Sequence, residues 1–173
     1  HTLADRRVAD EMTMRRVLWE HFGSFGYGEE HPRPEPVAGP VHLAAGFLVS
    51  SIWGCPIRYY DNNSPVVEPR SMTLEELAAM DIPDPMANTD FRDFMNLIAI
   101  LKERFGYVTG DFGWGNLQNL ALDLVGHSIF LSYYDSPELV HKVYDKMNRS
   151  IVDILDRVRK ETGTTSISVN RSV

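Results

Sequence analysis

The sequence predicts an α/β protein: a parallel sheet built from βα units, preceded by a helical segment. Strand candidates at 57–60, 107–112 and 164–169 are separated by stretches with helical apolar spacing, and such alternation builds parallel sheets. Glycine and proline mark most of the changes from one period to the other. No internal repeat, linker or low-complexity tract divides the 173 residues, so one structural unit is expected.

Taken in order, Thr2 to Phe22 carries Val8, Met12, Trp19 and Phe22 on one helical face, interrupted by Arg15. Gly23, Gly26 and Gly28 end that helix, and Pro32, Pro34, Pro36 and Pro40 keep the following stretch extended. Residues 41–53 are apolar on nearly all sides and predict a buried helix, although the pattern also allows a strand in part of it. Ile57 to Tyr60 is strand-like, and Asp61 to Pro65 has turn chemistry. Thr73-Leu74-Glu75-Glu76 is a capping box opening a short helix to Met80, which Asp81 to Pro85 ends. Thr89 is placed to cap the next helix, whose Phe91, Phe94, Met95, Leu97, Ile98 and Leu101 make a wide apolar stripe. Gly106 stops it. Tyr107 to Phe112 reads as a strand leading into the loop Gly113-Trp114-Gly115, with helices at about 116–125 and 127–134 beyond. Ser136 as N-cap and Pro137 at the first helical position then open a long helix. Its stripe runs through Val140, Val143, Tyr144, Met147, Ile151, Ile154, Leu155 and Val158, and Gly163 closes it.

Composition narrows the function classes. With 43% hydrophobic and 24% charged residues, the chain can build a core and does not have the balance of a disordered one. Its net charge is -7, and its cations are scattered or lie on helix faces, as do Arg157, Arg159 and Lys160. Sequence-independent nucleic-acid binding needs clustered cations, so no nucleic-acid partner is expected. The longest apolar run, Leu43 to Trp53, is too short to span a bilayer, and His1 to Arg7 is too charged to open a signal peptide. Cys55 is the only cysteine, which excludes an intrachain disulfide and fits a reducing, cytoplasmic setting. The six histidines show no zinc-ligand spacing, and Asp61-Asn62-Asn63 lacks the spacing of a calcium loop. Gly113-x-Gly115 lacks the rest of a dinucleotide loop, and no Gly-x-Ser-x-Gly element is present. No metal or cofactor is expected within this chain.

Two stretches carry a family resemblance. The first is Gly54-Cys55-Pro56 through Pro85, including Thr73 to Leu77 and Asp81 to Pro85. The second comprises Thr109 to Gly115, Ala121 to Gly126 and Tyr134 to His141. In this order and spacing, over about residues 54–160, they resemble the uroporphyrinogen decarboxylase superfamily. The resemblance implies a (β/α)8 TIM barrel, which takes about 250 residues when whole. The expected fold is therefore a partial (β/α)8 barrel with an N-terminal helical segment.

In that superfamily the barrel mouth faces a tetrapyrrole or a methyl group carried by one. Its decarboxylase branch binds substrate carboxylates through an arginine-rich N-terminal loop. The comparable residues here, His21 to Tyr27, hold no Arg. Ala45 and Leu122 stand where that branch has an essential Asp and a substrate-contacting Tyr. A polyanionic porphyrinogen needs guanidinium forks, and its pyrrole NH groups need a carboxylate. The resemblance thus points to a corrinoid- or cobalamin-linked methyltransferase ahead of a divergent uroporphyrinogen decarboxylase. It implies zinc and a corrinoid for the full-length protein, with the metal ligands beyond Val173, and a small-molecule substrate or a corrinoid protein as partner. This chain alone is expected to be inactive. A reading from another class is an association module, since a partial barrel leaves apolar faces and a sheet edge for a homo-oligomer to cover.

The residues expected to bind substrate are Asp111, Trp114 and Asn116, with Gln118 and Asn119 beside them, and Asn170 and Arg171 after the last strand. Barrel enzymes place their chemistry at that end of the strands, and Gly113 and Gly115 allow close backbone approach. The competing reading is a tight turn with Asn116 as helix N-cap, Trp114 as a core plug and Arg171 in solvent. Asp123, within an apolar helix, reads as a surface carboxylate or the partner of a nearby cation. No residue is assigned a catalytic role.

Overall fold

The computed structural model describes residues 3–39, 47–110 and 115–163. Helix accounts for 64% of them, so the chain is mainly helical. In order the elements are α1 (Leu3–Phe22), α2 (Leu48–Ile52), β1 (Ile57–Arg58), β2 (Val66–Val67), α3 (Leu74–Ala79), α4 (Thr89–Phe105), α5 (Leu117–Val125), α6 (Ile129–Asp135) and α7 (Pro137–Thr162), with short 3-10 turns at Gly23–Phe25 and Pro85–Ala87.

This overturns the partial (β/α)8 barrel. The one sheet among the described residues is the antiparallel hairpin β1–β2, with Ile57 opposite Val67 and Arg58 opposite Val66. The turn expected at Asp61 to Pro65 lies between its strands. Within the described part of 107–112, only Thr109 pairs, in an isolated parallel bridge with Val37. Ala38 N donates to Thr109 O at 2.8 Å, and Thr109 N donates to Pro36 O at 2.9 Å. Residues 164–169 lie outside the described residues. The physical reason is visible in burial. Val108 is buried but Tyr107 is exposed, whereas a parallel barrel strand is covered on both faces. The apolar stripes of the helices cover one another instead, and the layers are helix on helix.

α7 organises the core. It packs against α3, α4, α5 and α6. Val140, Val143, Met147, Ile151, Ile154, Leu155 and Val158 are all buried, and Tyr144 is partly so. Full burial of such an aliphatic side chain contributes about 1.5–3 kcal/mol. From α4, Phe91, Phe94, Leu97, Ile98 and Leu101 enter the same core. α2 is the described part of the apolar run and is helical, as expected. Just past its end, fully buried Trp53 donates its indole N–H to Ser150 Oγ of α7 at 3.2 Å.

The helix ends follow local chemistry. Thr73 and Glu76 close the expected capping box: Glu76 N donates to Thr73 Oγ1 at 3.1 Å, and Thr73 N to Glu76 Oε2 at 2.8 Å. At the other end of α3, Lys146 Nζ donates to Ala78 O at 2.6 Å and Met80 O at 2.5 Å. A cation there offsets the negative end of the helix dipole. α4 is capped by Asn88 rather than Thr89. Asn88 Oδ1 accepts from Phe91 N at 3.0 Å, while Thr89 is already helical. The last carbonyls of α5 are met from outside the helix: Arg70 N donates to Asp123 O, and Met72 N to Leu124 O, each at 2.8 Å.

α1 is attached differently. Ala4, Arg7, Val8 and Glu11 are buried where it packs on α4. From there outward a charge network ties it to the segment that follows. Arg7 pairs with Glu11 at 2.6 Å, and Arg15 reaches Glu11 at 3.1 Å, Glu29 at 3.1 Å and Glu35 at 2.5 Å. Gly28 makes that return possible. At φ +75° its Cα lies so close to α1 that a Cβ would meet Trp19 N at 2.2 Å. The apolar face expected to include Trp19 and Phe22 is exposed at both residues. Among the described residues no helix is long and apolar enough to cross a membrane.

Candidate functional site

Of the residues expected to bind substrate, Asn116 is the one within the described set; Asp111, Trp114, Asn170 and Arg171 lie outside it. Asn116 is exposed, and its Oδ1 accepts from Asn119 N at 2.8 Å. It is the N-cap of α5, so its side-chain oxygen serves the helix start. Immediately ahead of α5, the parallel bridge ends at Gly110. There φ is +96°, and a Cβ would sit 3.1 Å from Gly39 N and Gly39 O. Glycine is required at this close approach.

Two residues beyond Asn116, a polar cluster joins three helices. Gln118 of α5 accepts at Oε1 from the hydroxyl of Tyr133 (α6) and from that of Tyr144 (α7), the latter at 2.8 Å. The two hydroxyl oxygens are themselves 2.6 Å apart, and the rings stand 6.3 Å apart at a tilt. Tyr144 is held above its ordinary pKa by burial first and by the Tyr133 hydroxyl second, so it stays a neutral phenol. Gln118 Nε2 is buried without a hydrogen-bond partner. An unsatisfied buried polar group of this kind costs about 1–3 kcal/mol. The sequence placed Gln118 beside the expected site, but it read Tyr144 as part of the apolar stripe and passed over Tyr133. Tyr133 and Tyr144 fall on either side of the Ser136-Pro137 break, and that break is the one signal that could have brought them together.

A second cluster links α2 to α5. Ser50 is buried and donates its hydroxyl to Asp123 Oδ2 at 2.6 Å. Burial raises the Asp123 carboxyl above its ordinary value, and the Ser50 hydrogen bond opposes that shift. The sequence expectation of a surface carboxylate or a cation's partner is thus corrected: Asp123 is half-buried and paired with a hydroxyl. Cys55 Sγ lies 3.6 Å from Asp123 O. Its thiol is pushed up to about 12, by burial first and the Asp123 charge second. A thiol held so high is no nucleophile at neutral pH.

At the start of α7, Asp135, Ser136, Pro137, Glu138, Leu139 and Lys142 line a shallow depression of mixed charge. Among the described residues no three His, Cys, Asp or Glu side chains gather as a metal site. No family model matches the chain, and neither does any curated protein or solved structure.

Proposed function

We propose that the chain belongs to a corrinoid-linked methyltransferase of the kind its 54–160 motifs resemble, and that it contributes a substrate- or corrinoid-contacting wall. The observation that carries this reading is the juncture at Gly110. The parallel pair Val37–Thr109 ends there, the backbone tightens, and the chain passes into α5 with Gln118 on its first turn. Ligands of parallel α/β units bind beyond the carboxyl ends of the strands. Other motif residues also sit at turning points: Thr73 at a capping box, Asp84-Pro85 at a 3-10 turn, Gly126 at the end of α5 and Pro137 at the start of α7. The described residues do not fit zinc, since they offer no ligand trio and the thiol is buried and protonated. No metal chemistry is therefore assigned to this chain.

The test is to incubate the full-length protein with methylcobalamin and a thiol, and to follow the absorption change that marks loss of the methyl group. Turnover is expected. Absence of methyl transfer, together with conversion of uroporphyrinogen to coproporphyrinogen, would replace this reading by the decarboxylase.

A specific observation favours a second role in association. Trp19, Phe22, Phe25 and Tyr27, at the outer end of α1, are all exposed, and Phe25 is 76% so. Clustered exposed aromatics mark interaction surfaces. Sedimentation that shows a single monomer mass at every concentration would remove this role.

A further inference from the structure

The Gln118–Tyr133–Tyr144 cluster contains a contradiction that a purely structural tie does not explain. Three close contacts join three groups, yet two phenolic protons are all that can fill them while Gln118 presents its oxygen. One contact is oxygen against oxygen with no proton between. Meanwhile the amide nitrogen, which carries two protons, has no partner. An amide whose nitrogen is unbonded also loses no nitrogen hydrogen bond when it turns. Of the three residues, Tyr133 is the outer one: it is 37% exposed and sits on the short helix α6. Its hydroxyl fills a position that it satisfies poorly, and its ring can leave toward solvent.

We propose that the Tyr133 hydroxyl occupies the seat of a ligand carboxamide, bound between Gln118 of α5 and Tyr144 of α7. The ligand N–H donates to Gln118 Oε1, and the ligand carbonyl accepts from the Tyr144 hydroxyl. Each contact then carries one proton. A carboxylate would bring only acceptors into a cluster of neutral groups with no cation among them, so the neutral amide is the better fit. The choice of ligand rests on the methyltransferase reading, because the rim of a corrinoid carries carboxamides where that of a uroporphyrin carries carboxylates.

Binding to the full chain distinguishes the outcomes, with methylcobalamin and uroporphyrin as probes in equilibrium dialysis. Methylcobalamin is expected to bind at least tenfold tighter than uroporphyrin. Gln118→Met should weaken methylcobalamin binding about tenfold or more. Tyr133→Phe, which empties the seat of its hydroxyl, should tighten it several-fold. A structural tie predicts lower melting temperatures for both variants and no opposed shifts in affinity. Should Gln118→Met fail to fold, the exposed-site variant Tyr133→Phe decides alone. Unchanged or weaker binding by Tyr133→Phe, equal affinity for the two probes, or no binding of methylcobalamin would each overturn the subsite. Methyl transfer that persists with unaltered affinity in both variants would remove the subsite and leave the methyltransferase reading. Opposed affinity shifts without any methyl transfer would do the reverse.

Discussion

α1 and α7 are the two longest helices among the described residues, and they hold to the molecule by different means. α7 presents a continuous aliphatic stripe and buries it along six turns of helix, from Val140 to Val158. α1 buries a short patch near its start, half of it charged, and then leaves the body. Beyond residue 13 its large apolar side chains Met14, Val17, Trp19 and Phe22 are exposed. What keeps that outer half in place is Arg15, shared among Glu11, Glu29 and Glu35, together with the close passage of Gly28. The Arg15–Glu35 hydrogen bond accordingly lowers the pKa of the Glu35 carboxyl below its ordinary value. The two helices show how far an apolar pattern carries. Periodicity predicts burial while the stripe is unbroken, and a single interrupting Arg marks where the helix parts from the core.

The comparison breaks most visibly at α7. Ile154 is fully buried, and Ile154→Ala should lower unfolding stability by about 4 kcal/mol through lost transfer energy and a residual cavity. Urea denaturation checks this. A loss below 1 kcal/mol would mean that α7 is not the central support.

At α1 the expected signature is a cycle rather than one large loss. Glu11→Leu alone leaves Arg7 buried without its carboxylate and should cost about 3 kcal/mol. Adding Arg7→Met should bring stability back to within about 1 kcal/mol of the parent, because buried ion pairs are often replaceable by apolar groups. Additive losses in the double variant would contradict the account of α1 as charge-anchored.

Lys146 is a point where α7 itself depends on charge. Its ammonium meets the carbonyls that end α3, so Lys146→Met should cost about 1–2 kcal/mol. Amide hydrogen exchange should accelerate in α3 before it does in α4. Uniform acceleration would deny the local tie.

The smallest effect concerns pH. Burial raises the Asp123 pKa in the folded chain above the 3.8 of an ordinary Asp. Between those two values the folded state binds more protons than the unfolded, so stability falls as pH rises through that window. Asp123→Asn keeps an oxygen for Ser50 and should flatten that decline. After allowance for solvent screening at this half-exposed site, the gain at pH 7 is about 0.5 kcal/mol at most. A variant that is less stable at pH 7 than at pH 4 by the parent's margin would refute the assignment.

Local readings transferred well to the structure. The capping box at Thr73, the proline start and glycine stop of α7, the stripe of α4 and the N-cap Asn116 depend on residues within four positions of one another. Readings that depended on long-range pairing did not. Tyr107 to Phe112 has strand-like residues, but a strand needs neighbours on both edges, and in the described part Thr109 meets one partner at one position. Asn88 displaced Thr89 as a cap because either residue type can serve, and backbone conformation decided between them.

The amino-acid sequence by itself determined where helices start and stop and which faces of α4 and α7 turn inward, because those follow from chain-local hydrogen bonding and the 3.6-residue period. Tertiary structure alone decided that the layers are helix on helix, that Asp123 answers to Ser50, and that Gln118 meets Tyr133 and Tyr144. These contacts join residues 11 to 73 positions apart, and no local spacing rule reaches across such distances.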